Sequence, residues 1–165
     1  MLPVTHFIYI ENLSSADWKL KNESLLIFGC LLDSPYKDKI KDILQNSIAG
    51  LLKLLSDEVI YIRKTVSWVI CKVTELYPRV FDKNILNTVV PILKNSLNDI
   101  NYVAVNICYS FNNLIKILGD KETIKNNSKN YFNKTLFHLS LKLSSKTYLP
   151  LPIKNLPTIE TVMCL

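Results

Sequence analysis

Three stretches of this chain share one register. Asp57, Ile62, Arg63 and Ile70 align with Ser15, Leu20, Lys21 and Phe28, and again with Asn98, Val103, Ala104 and Phe111. The offsets are 42 (70 − 28) and 41 (111 − 70) residues. A period in the forties that holds two helices is the mark of a helical solenoid, in which a unit buries its apolar face only by stacking on the next. Three glycines and no hairpin dipeptide argue against an all-β chain. The expected fold is all-α: a right-handed α-solenoid of about three helix pairs with flanking partial repeats.

The middle unit carries the strongest helix signal. Val59, Ile62, Val66, Val69, Ile70, Val73 and Leu76 recur at the spacing of one helix face. Asp57 precedes the first turn, where a carboxylate accepts orphan N–H groups, and Pro78 ends the helix. Trp68 breaks the pattern. At 100° per residue it lies about 240° round from Ile62, off the apolar stripe and beside Tyr61 and Lys72. Its equivalents are Leu26 and Tyr109, so the three would form a ladder across successive units. Trp68 is expected to stand on the surface as a ligand platform, the competing reading being lateral packing between repeats. Trp18, which opens its helix beside a turn, reads as core.

Taken in order, residues 2–13 read as the second half of a helix. Asp17 caps a helix over 18–32, whose apolar face is read as Leu20, Ile27, Phe28, Leu31 and Leu32 and which Asp33-Ser34-Pro35 ends. A broad apolar face marks 38–55, and a three-residue link makes this helix the antiparallel neighbour of the Trp68 helix. Asp82 caps 84–97, where Pro91 is expected to kink or locally unwind the chain. Helix 101–118 should close at Gly119 as a left-handed residue. Residues 120–130 are polar and aperiodic, and 131–143 read as a last helix. The expected organisation is a solenoid over 1–143 followed by an irregular, proline-containing tail over 144–165.

The net charge of +6 is unevenly spread. Residues 17–99 hold 12 Lys+Arg against 10 Asp+Glu, whereas 100–165 hold 8 against 3. The excess is lysine among Asn and Ser, notably Lys121, Lys125, Lys129 and Lys134, the pattern of a solvated loop. Only Arg63 and Arg79 could grip phosphate bidentately. Cys30, Cys71, Cys108 and Cys164 show no CxxC or zinc spacing, and His6 and His138 have no partner at ligand spacing. Phosphate loops, nucleophile elbows and paired-carboxylate motifs are missing from the sequence, so no enzyme, cofactor or metal is expected. No apolar run approaches the 18 residues of a membrane span, and the N-terminus lacks a signal-peptide pattern, so the chain reads as soluble and intracellular.

The motifs now point to a family. Leu54-Leu55-Ser56-Asp57 followed by Ile62-Arg63 resembles the HEAT repeat. Asp17-Trp18-Lys19-Leu20-Lys21 with Phe28-Gly29-Cys30, then Val66-Ser67-Trp68, then Val103-Ala104 with Asn106-Ile107-Cys108-Tyr109-Ser110-Phe111, resemble the middle of importin-β (karyopherin-β) over about residues 8–118. The resemblance implies a nuclear transport receptor that shuttles between cytoplasm and nucleus. It implies binding of protein cargo or an importin-α-like adaptor on the concave face, with a Ran-type GTPase and nucleoporins engaged mostly elsewhere in the family's length. The partner-binding residues it implies, together with the off-core position of Trp68, are Trp68, Tyr109, Tyr61, Leu26 and Asn106, although a helical Asn such as Asn106 reads more readily as an inter-repeat hydrogen bonder than as a ligand. Lys64 stands where the family has Asp, and Tyr109 where it has Trp. The alternative is a generic HEAT scaffold, or a nucleic-acid-binding helical module using the basic last third.

Overall fold

The computed structural model describes residues 12–119, with the side chains of Lys83 and of 115–119 left aside. The expected loop at 120–130, the helix at 131–143, the tail at 144–165 and all but the end of the half-helix at 2–13 lie outside the described residues. So do His6, His138 and Cys164.

Among the described residues, after a helix end at 12–13, five helices follow one another: α1 (Trp18–Leu31), α2 (Lys37–Lys53), α3 (Ile60–Leu76), α4 (Lys83–Ser96) and α5 (Asn101–Gly119). Among the described residues there is no strand. Short 3₁₀ turns at Leu54–Ser56 and Pro78–Val80 make the links before α3 and α4. Asp17 caps α1 by accepting from Lys19 N at 2.9 Å, and Asp82 caps α4 by accepting from Ile85 N at 2.8 Å. Asp57 acts one step earlier than expected. Val59 is the N-cap of α3, and Asp57 accepts from Val59 N at 2.9 Å instead of from the first helical turn.

Two other local expectations change. α4 runs through Pro91 without unwinding, and Val89 and Leu93 on either side are fully buried. Gly119 is helical within α5, so this glycine does not stand beyond the helix end.

Helices α1, α3 and α5, the second members of successive units, lie side by side, with α3 packed against the other two. Beneath them one apolar core runs through Leu25, Phe28, Leu44, Leu51, Ile62, Val66, Val73, Val89, Leu93, Ile107 and Phe111. The three-helix layer is sewn together by polar contacts between side chains of adjacent helices. Thr65 Oγ1 donates to Asn22 Oδ1 (2.6 Å), Asn106 Nδ2 to Ser67 Oγ (3.0 Å) and Asn113 Nδ2 to Thr74 Oγ1 (3.3 Å). The turns repeat a second pairing. Lys21 Nζ meets Asp57 Oδ2 at 3.3 Å, and Arg63 meets Asp99 through Nε–Oδ2 at 2.7 Å and Nη2–Oδ1 at 3.2 Å. Both pairs join residues 36 apart, so one joint is used twice.

Leu20 and Ile27 were expected on the buried face of α1 but are 44 % and 53 % exposed. On the helix wheel they lie roughly opposite Asn22 and Gly29, which face α3. Their flank of α1 is therefore turned away from α3.

Candidate partner-binding face

The outer surface of the α1–α3–α5 layer carries aromatic side chains in two rows. Along α3, Tyr61, Lys64, Trp68 and Lys72 follow one another at intervals of three and four residues, which stacks them on one strip of the helix. Rings and ammonium groups therefore alternate.

Leu26, Trp68 and Tyr109, expected as a ladder, lie on α1, α3 and α5 respectively. All three are half-buried. Trp68 is neither of the two extremes considered from sequence. Its indole packs against α1 at Gly29, where an added Cβ would overlap ring atoms Cζ3 and Cη2. Lys72 Nζ stands 5.0 Å from the indole centroid, donates to Gly29 O at 2.9 Å, and pairs with the Asp33 carboxylate. One side of this tryptophan is thus a joint between repeats, and an ammonium of the same chain covers part of the rest. Tyr109 keeps its hydroxyl proton above the ordinary range because burial disfavours the phenolate.

Asn106 does not stand on this surface. It is 4 % exposed, and its amide is spent on Ser67 between α3 and α5. It is the inter-repeat hydrogen bonder expected of a polar residue on a helix flank, and it does not belong to the partner-binding set.

A further row went unread in the sequence. Trp18 and Tyr61 stack with centroids 5.3 Å apart and planes 16° from parallel. Lys64 Nζ bridges onward, 6.0 Å from the Tyr61 centroid and 5.1 Å from that of Tyr102, while Lys19 Nζ lies 6.0 Å from Trp18. Trp18, expected in the core, is 36 % exposed, and Tyr61 is 50 % exposed. The reason is the start of α1: Trp18 is its first residue and meets the first turn of α3, above the level at which the core begins. The signal was available as aromatics at offsets of 43 (61 − 18) and 41 (102 − 61).

Chemistry beyond docking finds little support among these side chains. Cys71 is buried and its thiol is pushed up to about 12, mainly by desolvation, so it stays protonated at neutral pH. Among the described residues no three His, Cys, Asp or Glu side chains gather as a metal site. No described helix is long and apolar enough to cross a membrane.

No protein-family model matches the chain. The chain is 24 % identical to importin subunit beta-1 of Schizosaccharomyces pombe over 114 residues, which is 68 % of this chain and 13 % of that protein. The fold is similar to that of Kap95p solved with RanGDP, with a TM-score of 0.77 at 19 % identity, covering 88 % of this chain and 17 % of that one. It is also similar to Kap95 in a complex with Nup1, with a TM-score of 0.74 at 19 % identity, covering 87 % and 16 %. The helix pairs described above are therefore HEAT repeats in a solenoid.

Proposed function

We propose that the chain is a member of the importin-β family, a reading supported by its similarity to importin subunit beta-1, and that the α1–α3–α5 face is the surface on which a nuclear transport receptor holds a protein partner. The partner is a cargo protein or an importin-α-like adaptor, bound on the concave side of the stack during import into the nucleus. One observation carries this reading: Tyr61 and Trp68, on one strip of α3, keep ring surface at the solvent although the core beneath is closed. Large aromatic side chains with a rigid backing are the side chains that dominate binding energy at protein interfaces. The chain spans about 13 % of the length of the curated relative it matches. A Ran-type GTPase and nucleoporins are proposed as partners of the longer protein, as is shuttling between cytoplasm and nucleus.

The nucleic-acid alternative rests on the lysines at 121–134, outside the described residues, and no contact within 12–119 favours it. The test is biolayer interferometry of the 165-residue chain against an importin-α-like adaptor and a cargo protein. Trp68→Ala combined with Tyr109→Ala should weaken binding while leaving circular dichroism unchanged. Equal binding by the doubly substituted and parent chains would remove the aromatic face from the interaction.

A further inference from the structure

We infer that the row of Trp18, Tyr61 and Tyr102, with Lys64 and Lys19, docks an acidic segment of the partner protein. This rests on the partner-binding face proposed above and names the chemistry that part of it selects.

The bookkeeping of charges sets the row apart. On the same three-helix layer Lys21 pairs with Asp57, Arg63 with Asp99 and Lys72 with Asp33. Lys64 and Lys19 have no ion pair among the described residues and rest only on aromatic rings. The nearby acids are largely engaged: Asp57 and Asp99 in those pairs, and Asp17 in capping α1. Glu58 lies in the turn before α3, where its backbone carbonyl accepts from Arg63.

Part of the ring surface is also taken. Trp18 and Tyr61 cover each other, and Lys64 stands over both Tyr61 and Tyr102. A guanidinium from a basic peptide, or a nucleobase, would have to displace a contact already made. What the row leaves unanswered is positive charge. The row also sits on the first turns of α1, α3 and α5, none of which carries an acidic residue, and α3 has no side-chain cap. The dipoles of these helices add to the pull on an anion. A carboxylate approaching Lys64 meets an ammonium held in place by two rings, with exposed aromatic edges of Trp18 and Tyr61 for the flanking apolar groups.

The test is fluorescence anisotropy on the full chain with two short labelled peptides. They share one aromatic-containing sequence and differ only in carrying Asp and Glu or Lys and Arg, and an oligo-dT strand serves as third probe. The acidic peptide should bind saturably, and Lys64→Ala should weaken it about tenfold, with Lys64→Arg restoring most of the loss. Basic-peptide binding as tight as acidic would overturn the inference, as would oligo-dT binding that depends on Lys64. So would the absence of any peptide binding while adaptor or cargo still binds through Trp68 and Tyr109; in that case the broader face survives. Failure of peptides and proteins alike would remove both.

Discussion

The indole of Trp68 occupies the space that a side chain at Gly29 would need. Glycine within a helix costs about 1 kcal/mol relative to alanine, so its presence in α1 marks a place where another element must come close. Gly29→Ala forces the ring aside and should destabilise the chain by about 1–3 kcal/mol. Trp68→Ala should cost a similar amount, since the ring is half-buried. In the double variant the alanine methyl enters vacated space, and the combined loss should fall short of the sum by at least about 0.5 kcal/mol. Urea unfolding of the four proteins measures this coupling, and strict additivity would separate the two residues.

The Arg63–Asp99 fork predicts a particular acid response. The hydrogen bond from Arg63 holds the Asp99 carboxyl below its ordinary range. A group depressed in the folded state adds stability above its unfolded value and loses it as pH falls through the folded one. The contribution should therefore be complete at neutral pH and disappear below about pH 4. Asp99→Asn should cost about 1–3 kcal/mol at pH 7 and flatten this part of the acid limb, as read by chemical denaturation from pH 7 to 3.

Asn106 supplies a contrast with the surface aromatics. Because its amide joins α5 to Ser67 of α3, Asn106→Ala should lower stability by about 1–2 kcal/mol. Partner affinity, measured at a temperature where both proteins are folded, should not change. A selective loss of binding with no loss of stability would return Asn106 to the contact surface.

Thiol reactivity should follow burial. Cys30 is exposed, whereas Cys71 is buried with a thiol pushed up to about 12. Alkylation at pH 8 mapped by mass spectrometry should label Cys30 within the native state and Cys71 only at the rate of unfolding. Prompt labelling of Cys71 would mean that the α3–α5 seam opens readily.

Much of the architecture was legible in the sequence because its signals are periodic. The 41- and 42-residue offsets gave the stacked pairs, and the capping carboxylates Asp17 and Asp82 gave two helix starts. The surface was harder to read for a specific reason. Whether an aromatic on a helix flank is packed or free depends on the residue opposite it in the next unit, which a single helix wheel does not contain. Gly29 brings Trp68 inward, and the stacking of Trp18 on Tyr61 keeps Trp18 outward. Asn106 is the inter-repeat hydrogen bonder that a polar residue on a helix flank suggests, but its partner Ser67, 39 residues away, is not visible in the pattern.

Tyr61 offers the most direct test of the proposed face, since it is half exposed and contributes little to the core. The measurement is isothermal titration of a cargo or adaptor partner into parent and Tyr61→Ala chains, with melting curves for both. The expected result is a loss of about tenfold in affinity, roughly 1.4 kcal/mol, with the melting temperature held. Unchanged affinity would contradict the assignment of partner binding to this side of the stack.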